Sequence, residues 1–175
     1  MPIVADATVF RYLVIVDATA ILPALFGTVL VPPAVVRELQ HASTPARVRA
    51  WWRTVPSWVH ILAPSVPPDP GLHHLGEGEQ EAIRLMDEQQ APLLMTDDRD
   101  AYNAAVARGM AVTRTLRVLE TIHPSKKISN DGTTIQNTLA SIMNLSSGHY
   151  RPAFRGSFWS EFAASRRRFA RTRTL

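Results

Sequence analysis

The residues with the clearest chemistry lie at positions 93–100, in the stretch Leu-Leu-Met-Thr-Asp-Asp-Arg-Asp. The apolar start of this stretch predicts a short buried strand of a parallel sheet. Asp97, Asp98 and Asp100 follow it, and their charges repel one another unless water or a cation compensates them. A solvated turn with a helix cap uses the same residue types, and the cluster alone favours that simpler interpretation. The positions of the other acids in the chain favour a functional site over a simple capped turn.

Three further acids are predicted to lie near the same edge of a sheet. Asp6 ends the first predicted strand, Glu38 lies on the helix after the second, and Glu79 begins a later helix. By helical spacing Glu79 shares the inward, apolar face of its helix, whereas Glu81 falls on the opposite side. In open α/β sheets, sites form where strands end and helices begin. Together with Asp98, these acids would be four carboxylates in one pocket, and they could not all stay ionised without a counter-charge.

Oxygen ligands of this kind select Mg²⁺ or Mn²⁺. Such an ion lowers the pKa of a bound water and neutralises charge on a phosphate, which suits it to phosphodiester hydrolysis. Thr96 could orient that water or could simply end its strand, and both roles stay open. The pattern predicts a hydrolytic metal site built from carboxylates.

The elements that must position these acids alternate along the chain. Strands are predicted at 2–5, 28–31, 58–62, 93–95 and 111–113, and helices at 7–13, 17–26, 34–40, 43–52, 75–90, 101–108 and 115–122. Such alternation implies a parallel sheet with helices on both faces. The chain therefore belongs to the α/β class.

Composition limits the class of protein further. The 175 residues are 46% hydrophobic and include no cysteine, so the core is ample and a cysteine zinc site is excluded. Neither a signal peptide nor a run of about 20 apolar residues is evident, which predicts a cytoplasmic protein with no membrane partner. Residues 151–175 contain seven Arg and one Glu, so this segment carries a net charge of +6. Because the whole chain carries +4, the other 150 residues carry −2. A basic tail on an acidic body suggests a polyanion or an acidic protein as partner.

Five motifs occur in order along residues 2–123: IVADAT at 3–8, VPPAVVREL at 31–39, LGEGEQEAI at 75–83, LMTDDR at 94–99 and VTRTLRVL at 112–119. In order and spacing they resemble the motifs of PIN-domain ribonucleases of the kind found in VapC-type toxins. The resemblance implies a PIN-like three-layer α/β/α fold with a central, mostly parallel sheet over residues 1–124. Residues 125–175 would then form a helical, Arg-rich C-terminal extension.

The resemblance also implies an activity and its residues. It is that of a divalent-metal-dependent endoribonuclease, a hydrolase of RNA phosphodiester bonds and the toxin of a toxin–antitoxin pair. The expected catalytic residues and ligands of Mg²⁺ or Mn²⁺ are Asp6, Glu38, Glu79 and Asp98. The secondary candidates are Glu81 at the helix start, and Thr96, Asp97 and Asp100 at the strand end, with Asp100 as an outer partner.

The predicted partners include more than the RNA substrate. We also expect a cognate antitoxin and a second copy of the chain. Residues 157–171 have the pattern of a basic amphipathic helix; we expect its aromatic residues to dock while Arg166, Arg167 and Arg168 contact RNA. The alternative function is a catalytically inactive PIN-fold module that binds RNA or protein.

Overall fold

The computed structural model describes residues 2–121 of the chain. Its strands are β1 (Ile3–Ala5), β2 (Val29–Val31), β3 (Val59–Ile61), β4 (Leu94–Met95) and β5 (Val112–Thr113). Its α-helices are α1 (Ala7–Ile15), α2 (Ile21–Phe26), α3 (Pro33–Gln40), α4 (Ala46–Trp51), α5 (Glu77–Glu88), α6 (Arg99–Ala107) and α7 (Thr115–Thr121). A short 3-10 helix spans Pro70–Leu72. No helix among the described residues is long and apolar enough to cross a membrane.

The strands form one sheet in the order β3-β2-β1-β4-β5, and every neighbouring pair is parallel. From β1 the chain first builds outward through β2 and β3, and later returns to add β4 and β5 on the other side. The direction of building therefore switches between β1 and β4, which pair through Val4 with Leu94 and Ala5 with Met95. Crevices at such switch points are the usual binding sites of open α/β sheets.

The sheet is buried on both faces. Along β1, Ile3 and Ala5 pack into one hydrophobic cluster and Val4 into the other, as the two-residue period of a strand requires. The first cluster includes residues of α1, α2, α3, α4 and α7, and the second includes residues of α5 and α6. This arrangement confirms the predicted three-layer α/β/α fold with a parallel central sheet.

Two helices differ from the sequence prediction. The helix predicted at 17–26 begins only at Ile21, because Asp17 has a left-handed backbone (φ 59°) that ends α1 and starts a turn. The helix predicted at 43–52 begins at Ala46, since Pro45 is extended and caps it. The predicted extension over 125–175, with Arg166, Arg167 and Arg168, lies outside the described residues, and the domain boundary at 124 stays a prediction.

Candidate active site

Asp6 lies at the switch point and is almost wholly buried, at 1% exposure. Its backbone N–H donates to the carbonyl oxygen of Met95, which places it between β1 and β4. Its Oδ1 caps α1 by accepting hydrogen bonds from the backbone N–H and the hydroxyl of Thr8, at 3.0 and 2.6 Å. Its Oδ2 accepts from the Thr96 hydroxyl. The carboxylate is therefore held in one orientation by two strands and a helix start.

Thr96 connects Asp6 to the predicted acid on the neighbouring strand end. It is buried, donates its hydroxyl proton to Asp6, and accepts a hydrogen bond from the backbone N–H of Asp98 at 3.1 Å. With its proton committed in this way, Thr96 orients a carboxylate in this structure. Of the two roles that the sequence allows, orienting a water or only ending its strand, neither describes this contact in full.

Burial raises the pKa of Asp6 from 3.8 to about 6. Hydrogen bonds from two hydroxyls and one backbone N–H act in the opposite direction, and the negative charge of Glu79 adds to the rise. The group is thus mostly ionised at neutral pH and mostly protonated at pH 5. Its ionised form would be stabilised by any cation that entered the crevice.

Glu38 and Glu79 come from helices that pack against each other, α3 and α5. Burial raises the pKa of Glu38, and the negative charge of Glu79 raises it further. The positive charge of Arg11 and a hydrogen bond from the Gly78 backbone N–H act in the opposite direction. Because the half-buried Glu79 influences both Glu38 and Asp6, these three predicted acids share one electrostatic environment.

The absence of a side chain at Gly78 allows Glu38 to sit this close to α5. A Cβ atom at Gly78 would lie 2.6 Å from Oε1 of Glu38 and 3.2 Å from Cγ2 of Val35, both on α3. A Cβ atom at Gly76 would likewise collide with the carboxylate of Glu79. The two glycines of the Gly-Glu-Gly-Glu motif thus leave room for the carboxylates of Glu38 and Glu79.

Glu81 has a different position from Glu79. Its Oε2 accepts a hydrogen bond from the Ala34 backbone N–H at 2.9 Å, in the first turn of α3, and its Oε1 lies 3.9 Å from Arg37. Its side chain is only 15% exposed, so it packs against α3 and does not face open solvent. Glu81 therefore caps α3, whereas the charge of Glu79 acts on Asp6 and Glu38.

The acids after β4 also divide by their contacts. Asp98 caps α6 through Oδ1, which accepts from the backbone N–H groups of Asp100 and Ala101 at 2.9 and 2.8 Å. No described residue donates to its Oδ2. Asp97 uses both oxygens on Thr115, accepting from its N–H at 3.0 Å and its hydroxyl at 2.5 Å. Asp100 is exposed in the first turn of α6. Asp98 therefore has an oxygen available that Asp97 lacks.

The oxygen atoms of the predicted ligands are of the kind that a hard divalent cation prefers. All four predicted ligands offer carboxylate oxygens, and mutual repulsion among Asp6, Glu38 and Glu79 is what a cation would relieve. Within residues 2–121, however, no group of three or more acidic or histidine side chains stands close enough together to hold a metal ion. A metal bound by three of these carboxylates therefore requires side-chain movement from the positions in the structure.

Sequence reasoning missed two residues of this region. Thr8 donates its hydroxyl to Asp6 and accepts from the Asp97 backbone N–H at 3.1 Å, so it ties both strand ends together. Arg11 is half-buried, its charge lowers the pKa of Glu38, and its Nε is buried without a hydrogen-bond partner in the described part of the chain. The sequence held a signal for Thr8, because a hydroxyl two residues after Asp6 suits a helix cap. It held none for the approach of Arg11 to Glu38, because the two residues lie on different helices.

Comparisons with known proteins bear on the fold and the family. A family model described as a PIN domain (DUF3368) matches residues 2–156. Among solved structures, a PilT N-terminus domain protein from the hyperthermophilic archaeon Sulfolobus solfataricus P2 is similar, with a TM-score of 0.50 and 18% sequence identity. The alignment covers 74% of this chain and 97% of that chain, and at this identity the likeness concerns the fold alone. A search of curated proteins found no match.

Proposed function

Because the chain belongs to the PIN-domain family, we propose that it is a divalent-metal-dependent endoribonuclease that hydrolyses RNA phosphodiester bonds. The observation that carries the proposal is Asp6, a buried carboxylate at the switch point with a second acid, Glu79, beside it. A helix cap alone needs one acid and gains nothing from a like charge nearby. Two like charges that act on each other at this edge of the sheet suit a site that binds a cation.

Asp6, Glu38, Glu79 and Asp98 would hold Mg²⁺ or Mn²⁺. When bound, the ion would lower the pKa of a water and neutralise charge on the phosphate. The surrounding residues prepare these ligands: Thr8 and Thr96 orient Asp6 by hydrogen bonds, and the N–H groups at the start of α6 orient Asp98. Arg11 and the Gly78 N–H favour the ionised form of Glu38.

The finer proposal is that the nuclease acts as the toxin of a toxin–antitoxin pair in the cytoplasm. It rests on the VapC-like order of the motifs and on the basic C-terminal segment, which would suit an acidic antitoxin or RNA. A small antitoxin-like reading frame beside the gene, whose product suppresses growth arrest on co-expression, would support it. A second copy of the chain is the other expected partner, and the mass of the purified protein in solution tests it.

The nuclease proposal is tested with the purified chain, single-stranded RNA and either Mg²⁺ or Mn²⁺, with EDTA as the metal-free arm. We expect cleavage that requires the metal and is lost in Asp6→Asn, which keeps the size of the side chain and removes its charge. The matched control is Asp17→Asn, because Asp17 is exposed and its left-handed backbone suits Asn equally well. Cleavage by Asp6→Asn at the parental rate would rule out Asp6 as a required ligand.

A second candidate function is a PIN-fold module that binds RNA or protein without cutting. It is favoured by one observation, that the acids in residues 2–121 are not gathered around one centre. RNA binding that persists in EDTA, together with intact RNA after incubation with either metal, would support this candidate over the nuclease.

A further inference from the structure

Arg114 and Tyr102 form a cation–π pair at the carboxyl edge of the sheet. The guanidinium carbon of Arg114 lies 4.8 Å from the centroid of the Tyr102 ring, and both side chains are half-buried. Stacking on an aromatic face orients a guanidinium while its N–H groups remain able to donate in their own plane. The pair therefore holds the guanidinium of Arg114 over the ring and does not neutralise its charge.

Both members of the pair are tied to residues of the candidate active site. Tyr102 lies one helical turn after Asp98 and donates its backbone N–H to the Asp98 carbonyl oxygen at 3.1 Å. Arg114 directly follows β5, and the next residue, Thr115, is bound by both oxygens of Asp97. Since β4 and β5 are parallel neighbours, Arg114 and the acids after β4 leave the sheet at the same edge.

No carboxylate compensates the charge of Arg114 within the described residues, in contrast to three other arginines there. Arg37, Arg47 and Arg108 each lie within 3.3 Å of a carboxylate oxygen. Arg114 makes no ion pair within residues 2–121, although Asp97 accepts hydrogen bonds from the adjacent Thr115. An uncompensated guanidinium beside a cluster of acids provides the attraction that a polyanionic substrate would need in order to approach that cluster.

On the basis of the proposed nuclease function, we propose that Arg114, stacked on Tyr102, binds a phosphodiester group of single-stranded RNA next to the one that is cut. A guanidinium can donate two parallel hydrogen bonds to a phosphate, and its contact with the ring lowers the entropy lost on binding. Such a contact positions the strand and does not distinguish bases. The ligand class is therefore any single-stranded RNA backbone, and the contact sets where the strand crosses the crevice.

The test measures binding of a fluorescein-labelled single-stranded RNA to the full chain by anisotropy, in EDTA so that no metal-dependent cleavage interferes. We expect Arg114→Gln to raise the Kd roughly tenfold. We also expect it to reduce the slope of log K against log salt by about 0.7, the value for one lost phosphate contact on a single strand. The matched control is Arg47→Gln, which removes one positive charge from the exposed surface of α4; its Kd should stay within about twofold of the parent.

Variants of the ring separate binding from a structural role. Tyr102→Phe keeps the ring and should bind RNA as the parent does, whereas Tyr102→Leu should weaken binding although it changes no charge. Arg114→Lys keeps the charge without the planar fork and should fall between the parent and Arg114→Gln. Thermal melting followed by circular dichroism identifies any variant that loses affinity by unfolding. In that case the conservative variants, Tyr102→Phe and Arg114→Lys, are compared with the parent instead.

Parental affinity and salt slope in Arg114→Gln would overturn the phosphate contact, as would an equal loss in Arg47→Gln. Failure of the nuclease proposal is a separate result. It would appear as intact RNA with the parental chain and metal, while the comparison of Arg114 variants in EDTA would still report on binding.

Discussion

The raised pKa of Asp6 predicts a specific effect of pH on stability. The pKa rises from 3.8 to about 6 on folding, and at about 1.4 kcal/mol per pKa unit this corresponds to about 3 kcal/mol. The folded chain holds this proton more tightly than the unfolded chain does. The contribution of Asp6 to the free energy of unfolding is therefore highest below about pH 4, decreases until about pH 6, and is then constant.

Asp6→Asn removes this titration from the folded and the unfolded chain. The free energy of unfolding of the variant, minus that of the parent, should therefore increase by up to about 3 kcal/mol between pH 4 and pH 7. An amide nitrogen in the place of Oδ2 cannot accept the Thr96 hydroxyl proton, and the loss of this hydrogen bond costs about 1 kcal/mol at every pH. At neutral pH without metal the variant should be the more stable protein.

Urea unfolding followed by circular dichroism, repeated from about pH 4.5 to pH 8 in EDTA, measures this difference directly. Asp17→Asn provides the control and should show no comparable trend, since Asp17 is exposed. Added Mg²⁺ should then stabilise the parent, by about 2.7 kcal/mol at a hundred times its Kd, and leave Asp6→Asn nearly unchanged. A difference between variant and parent that is the same at every pH would refute the argument that burial destabilises an ionised Asp6.

Three further substitutions test how α5 builds the site. Glu79→Ala should abolish cleavage with little loss of stability, because it removes a like charge. Glu81→Ala should leave the cleavage rate near the parental value and lower the free energy of unfolding by about 1 kcal/mol through loss of the bond to Ala34. The opposite outcome in a paired activity and urea-unfolding assay would exchange the two roles. Gly78→Ala should lower activity with little loss of stability, because its Cβ would lie 2.6 Å from Oε1 of Glu38 and would displace that flexible carboxylate; a parental cleavage rate would contradict this argument.

The fold could be predicted from the sequence because its signals are local. Short apolar runs such as the one at β4 are long enough for a strand and too short for a helix, and each is bounded by polar or turn residues. Alternation with helices then allows few arrangements other than a parallel sheet. Asp6 is equally local, since an acid between a buried strand and a helix both caps the helix and lies at the edge of the sheet.

The division of roles among neighbouring acids depended on the tertiary structure. A helical wheel places Glu79 and Glu81 on different faces of α5 but does not say what each face meets. The wheel assigned Glu81 to the side opposite the core, whereas its carboxylate bonds to the N–H of Ala34, 47 residues away along the chain. The assignment of Asp6, Glu38, Glu79 and Asp98 as ligands stays a prediction. Within residues 2–121, Asp98 keeps one carboxylate oxygen that accepts no hydrogen bond.

The charge of Arg11 beside Glu38 and the stacking of Arg114 on Tyr102 were likewise invisible in the sequence. Each of these pairs joins two different elements across the packed layers. Local spacing determines which way a residue faces from its own helix or strand. The distance between charges on separate elements is set only when those elements pack together. That distance determines the pKa shifts of a site and which of its charged groups lack a partner.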